Sequence, residues 1–72
     1  MTVLRRLRKE TGLCIAELAF RAGLDDGTFS KAERGWKRIP EKTQERIAEI
    51  LGVAREILFD ESGVARAEKT NP

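Results

Sequence analysis

The sequence has no histidine and a single cysteine among its 72 residues. Without histidine, the commonest general base and the commonest metal ligand are both missing. One thiol can form neither an internal disulfide nor a His/Cys metal cluster. No set of nucleophile, base and orienting group stands out, so neither an enzyme nor a bound cofactor is expected. Long apolar runs are lacking too. Nothing approaches the roughly 18 consecutive apolar residues of a membrane span, and the basic start from Met1 to Glu10 lacks the apolar stretch of a signal peptide. The expectation is a cytoplasmic protein of one domain, near the lower size limit for a chain that folds alone.

The formal net charge is only +2, but it is unevenly placed. Residues 1–42 hold ten Lys/Arg and six Asp/Glu, a balance of +4, while residues 43–72 hold four and six, a balance of −2. A basic N-terminal part suits a phosphate-binding face, and it equally suits solvated helix surfaces.

The most informative stretch runs from Cys14 to Gly35, CIAELAFRAGLDDGTFSKAERG. Ile15, Leu18, Ala19 and Ala22 fall at i, i+3, i+4 and i+7, one apolar stripe of a helix. Gly23 can take the positive φ that ends a helix, and Leu24 can then fold back onto the stripe. Asp25 is a good N-cap for a second helix, offering its carboxylate to the amide of Gly27 or Thr28. On that helix Phe29, Ala32 and Glu33 share a face. Helix, glycine-bearing turn and second helix make a helix-turn-helix over about residues 14–35.

Further elements follow from the same signals. Thr2 can cap a first helix with Val3, Leu4 and Leu7 inward and Arg5, Arg6 and Lys9 outward, ending at Gly12. Pro40 suits the start of a helix in which Gln44, Ile47, Ala48 and Leu51 keep helical spacing up to Gly52. Val53 to Phe59 reads as a short last helix carrying Ile57, Leu58 and Phe59. Residues 60–72 are polar and without apolar period, so they read as a disordered tail or a stub toward a partner. The fold expected is all-α, five short helices over residues 1–59.

With Gly12, Leu13, Glu17, Leu18, Ala19, Gly23, Leu24, Thr28, Phe29, Ser30, Glu33 and Gly35 in this order and spacing, the segment resembles the lambda-repressor-like helix-turn-helix family, the Cro and XRE group. The likeness extends through IAEILGVAREILF and so covers about residues 2–59. It implies a small DNA-binding transcriptional regulator, dimeric through the fifth helix, with the third helix in the major groove of double-stranded DNA. The base-reading positions it implies are Asp26, Gly27, Thr28, Ser30 and Lys31. The basic loop after Gly35 stands where such proteins hold the sugar-phosphate backbone, here Arg34, Lys37 and Arg38 with Lys42 behind them. The resemblance also implies a structural ion pair between Arg8 and Glu33, and dimer contacts at Ile57, Leu58 and Phe59.

Two departures bear on function. Cys14 stands where the pattern has a Ser/Thr/Asn N-cap, and a thiol accepts poorly from orphan amides. Ile15 stands where a glutamine commonly reaches DNA. These two residues either extend the core or form an apolar patch that meets a protein. The start of the third helix is acidic: Asp25 and Asp26 repel phosphate, though Asp26 could accept from cytosine N4, and Gly27 offers no side chain. Trp36 either packs over the junction of helices 3 and 4 or faces DNA or a partner. A helix-turn-helix turned to a protein partner, with weak or no DNA binding, is therefore the competing reading.

Overall fold

The computed structural model describes residues 1–68, and residues 69–72 of the expected tail lie outside the described residues. Five helices follow in order: α1 (Val3–Thr11), α2 (Ile15–Ala22), α3 (Asp26–Glu33), α4 (Glu41–Leu51) and α5 (Arg55–Leu58). None of them is long and apolar enough to cross a membrane. The all-α, five-helix architecture expected from the sequence is the one found.

Local chemistry accounts for the helix ends. The Thr2 hydroxyl caps α1 by accepting from the Arg5 amide at 3.2 Å, and the same hydroxyl donates to the Glu33 carbonyl. One side chain therefore starts α1 and ties it to the end of α3. At the end of α2, Gly23 has φ 79° and its amide turns back to the carbonyls of Ala19 and Phe20. The Leu24 amide then reaches the Ala19 carbonyl at 2.9 Å, and Leu24 packs against the core. This corner lets α3 begin at Asp26, close behind α2.

α2 is the less well capped of the two. Cys14 has extended backbone and makes no side-chain bond to the first turn, and it is exposed. Replacing Cys14 with serine should supply the missing acceptor and stabilise the fold by about 1 kcal/mol. For a domain of this size that is a rise of roughly 4–8 °C in the thermal midpoint. An unchanged midpoint would mean that water already serves those amides equally well.

The core is assembled from every helix: Leu4, Leu18, Phe29, Ile47 and Leu58 are completely buried, joined by Ile39 from the loop and by Phe59. α2 packs on α3 and α4, while α1 packs on α4 and α5. Ile15 is half-buried against this cluster, so it extends the core. The Trp36 packing considered from the sequence is not found. The residue is 70% exposed, and Ile39 is the residue of this loop that is buried in the core.

Two expectations for the C-terminal part change. Of the three apolar residues assigned to a dimer face, Leu58 and Phe59 are core and only Ile57 stays out, 50% exposed. Phe59 escapes the helical constraint that would have turned it outward, because the chain has already left the helix there, at φ −127° and ψ 146°. The chain also continues in defined structure past residue 59. Asp60 starts a tight turn, its Oδ1 accepting from the amides of Ser62 and Val64 at 2.9 and 3.0 Å. Isolated antiparallel bridges pair Phe59 with Ala65 and Thr2 with Ala67. The Val3 amide donates to the Arg66 carbonyl at 3.0 Å and the Glu68 amide to the Met1 carbonyl at 2.8 Å. Arg6, read as pointing to solvent, forms ion pairs with Glu10 and Glu68. Residues 60–68 thus strap the start of α1 to the end of α5.

Candidate nucleic-acid interface

α3 carries its core residues Phe29, Ala32 and Glu33 on one side. Of the positions expected to read bases, Gly27 and Lys31 lie opposite the core and are exposed, Thr28 and Ser30 flank them half-buried, and Asp26 is exposed at the first residue of the helix, seven before Glu33 and so on its side. These positions differ in freedom. Asp25 caps the helix by accepting from the Thr28 amide at 3.0 Å, and the Thr28 hydroxyl donates to the other carboxylate oxygen at 2.6 Å. These bonds from Thr28 hold the Asp25 carboxyl below its ordinary range. They also commit the Thr28 hydroxyl proton, leaving its oxygen as an acceptor and its methyl for apolar contact. Lys31 is the exposed cation of this face.

A buried ion pair orients α3. Arg8 Nε donates to Glu33 Oε2 at 2.5 Å and Nη2 to Oε1 at 3.2 Å, a bidentate pair. Both side chains are nearly out of water, and the remaining Arg8 Nη1 donates to the Leu13 carbonyl at 2.8 Å. The guanidinium therefore holds α1, the α1–α2 connection and the end of α3 in one arrangement.

The basic loop follows directly. The Trp36 amide returns to the Lys31 carbonyl at 2.9 Å, and the Ile39 amide donates to the Gly63 carbonyl at 2.9 Å. Pinned at both ends, the loop leaves Arg34, Lys37 and Arg38 exposed, with Lys42 exposed on the first turn of α4. Among the described residues every ion pair lies elsewhere, so these four cations and Lys31 carry no carboxylate partner. The arrangement is an uncompensated positive rim beside a polar helix face, which is what a polyanion with readable edges requires.

One cation escaped the sequence reading. Arg5 was placed in solvent, yet it lines a cleft of about 260 Å³ together with Arg34, Glu33, Thr2 and Met1. Its Nε is buried without a hydrogen-bond partner. Its position one residue after the inward-facing Leu4 was the available signal.

The helix α2, the αL corner at Gly23 and the Asp25-capped helix α3 define a helix-turn-helix domain. A model of the helix-turn-helix domain family matches residues 2–58, and the chain belongs to that family. No curated protein matches it. Among solved structures it is similar to the clp gene regulator ClgR from Corynebacterium glutamicum, with a TM-score of 0.69 and 28% identity over 74% of this chain. It spans 56% of that ClgR chain. It is similar also to the restriction-modification controller protein C.AhdI from Aeromonas hydrophila, with a TM-score of 0.69, 34% identity, and 78% of this chain and 85% of that one covered. A third likeness is to SinR, a Bacillus subtilis protein. In the structure of SinR as master regulator for biofilm formation in complex with DNA, the TM-score is 0.64 and the identity 30%, covering 74% of this chain and 86% of that one. The resemblance to the Cro and XRE group is borne out.

Proposed function

We propose that this protein is a small DNA-binding transcriptional regulator that lays α3 in the major groove and sets residues 34–42 on the flanking phosphates. The observation that carries the reading is the rim of exposed cations, Arg34, Lys37, Arg38 and Lys42, without ion-pair partners among the described residues, beside the polar face of α3. The DNA complex of the similar protein SinR supports it. A DNA ligand also fits the cytoplasmic setting expected from the sequence. Lys31 is the specific reader, placed to reach guanine O6 and N7, while Asp26 restrains affinity and favours cytosine. A second copy of the chain joins through α5, where Ile57 is the apolar contact left exposed, setting two α3 helices about one DNA turn apart.

Titration of labelled duplex DNA at several salt concentrations tests all of this. A dimer placing Arg34, Lys37 and Arg38 of each copy on phosphates neutralises roughly six, and log affinity should fall against log salt with a slope near −5; a monomer would give roughly half that. Lys31→Ala should cost about 1–3 kcal/mol on the preferred site and little on random duplex. Random-duplex binding weaker than about 10⁻⁴ M at low salt would defeat the reading and turn attention to Asp26, Thr28 and Ile15 as a protein-contacting face.

A further inference from the structure

Trp36 is 70% exposed on the loop that carries the densest positive charge. Leaving an indole in water forgoes one of the larger apolar contributions open to a small domain, so its placement calls for a ligand. The side chain is held out in a defined way. Its amide is fixed to the Lys31 carbonyl at 2.9 Å, and the Arg34 guanidinium carbon lies 5.1 Å from the ring centroid, over one face. Lys37 and Arg38 follow it and are exposed. The adjacent acid, Glu33, is buried and engaged by Arg8. The other large exposed apolar side chains, Met1, Phe20 and Ile57, belong to the N-terminus, α2 and α5. Within residues 34–42 Trp36 is therefore the one large apolar side chain left exposed, although Met1 lines a cleft with Arg34. Its partner on one face and its neighbours along the loop are cations, and the ligand that matches a flat ring beside cations is a polyanion carrying sugar rings.

We propose that Trp36, with Arg34 stacked on it, is a contact to the backbone of duplex DNA. The open face of the indole lies against a deoxyribose, its N–H donates to a phosphate, and the outer edge of the Arg34 guanidinium donates to a phosphate as well. This inference rests on the DNA reading above and adds an aromatic contact to it. These 72 residues hold one tryptophan and no tyrosine, so their intrinsic emission reports Trp36 alone. Titration with fluorescein-labelled random duplex should show Trp36 emission changing in step with anisotropy, and acrylamide quenching should fall in the complex. Trp36→Ala should keep the helical circular dichroism and weaken every duplex about fivefold, the size of one well-placed aromatic contact. It removes no charge, so the salt slope stays as it was, whereas Arg34→Ala should make the slope shallower by about one per copy. Trp36→Phe should recover part of the loss. Anisotropy that rises while emission and acrylamide access stay at their free values, with Trp36→Ala binding like the parent, would overturn the inference and leave the DNA reading standing. Quenching by a single-stranded oligonucleotide but not by the duplex would overturn the duplex contact in favour of base stacking. An absence of any anisotropy rise at low salt would bring down both.

Discussion

Replacing Glu33 with alanine is expected to lower folding free energy by about 3 kcal/mol, the lower end of the 3–5 kcal/mol typical of stranding one partner of a buried pair. The lower end is expected because Arg8 keeps its bond to the Leu13 carbonyl at 2.8 Å when the carboxylate is gone. The loss is still large against the roughly 4–11 kcal/mol that a chain of this size can hold in all. Thermal unfolding should show it as a fall of roughly 12–24 °C in midpoint. The double variant Arg8→Met, Glu33→Leu should recover most of it, since two apolar side chains leave no charge to desolvate. High salt should change neither result much, because a pair this deeply buried is poorly screened. A loss below about 0.5 kcal/mol, the value of a surface pair, would show that the ring of contacts around Arg8 is not maintained in solution.

Helical spacing puts Glu33 four residues after Phe29, on the inward side of α3, but its pairing with Arg8 was legible only through the family resemblance. The corner was legible from the residues themselves, since an apolar stripe, a glycine and a capping aspartate are local signals acting within one or two turns. The C-terminal strap was not. Residues 60–68 are held by backbone bonds such as Val3 to Arg66 and Glu68 to Met1, and main-chain pairing of so few residues leaves no side-chain period to read. Ala65 is buried, but two alanines and one valine in a polar stretch announce nothing. Phe59 was misplaced by extending the helix one residue too far, which changes the side a residue faces. At the interface the residue types were readable and their freedom was not. Trp36 is exposed while Ile39 in the same loop is buried, a division that packing sets and no helical spacing announces.

The strap also reaches the proposed interface, and Gly63 is where the connection can be broken. Gly63 has φ +83°, and a β-carbon added there would sit 2.8 Å from Gln44 Nε2, 2.9 Å from the Ile39 carbonyl oxygen and 3.1 Å from Arg38 Cγ. Those neighbours have little room to yield. Gln44 is buried, donates to the Ile39 carbonyl at 2.6 Å and accepts from Arg55 Nη1 at 3.2 Å, while the Ile39 amide is bonded to Gly63 itself at 2.9 Å. Gly63→Ala therefore combines left-handed backbone strain, about 1–2 kcal/mol, with an overpacking cost of about 1–3 kcal/mol. A loss of about 3 kcal/mol or more is expected in denaturant unfolding. Part of it should appear as local release of the strap. Amide exchange at Val3, Arg66 and Glu68 should then accelerate more than at Leu24 and Phe29, which lie in the helix-turn-helix. Because Ile39 anchors the loop that carries Arg34, Lys37 and Arg38, the same variant should weaken duplex binding across all sequences, whereas Lys31→Ala acts on one. A Gly63→Ala midpoint matching the parent within about 0.5 kcal/mol, a shift no larger than that of a neutral surface change, would show that the strap does not hold the loop.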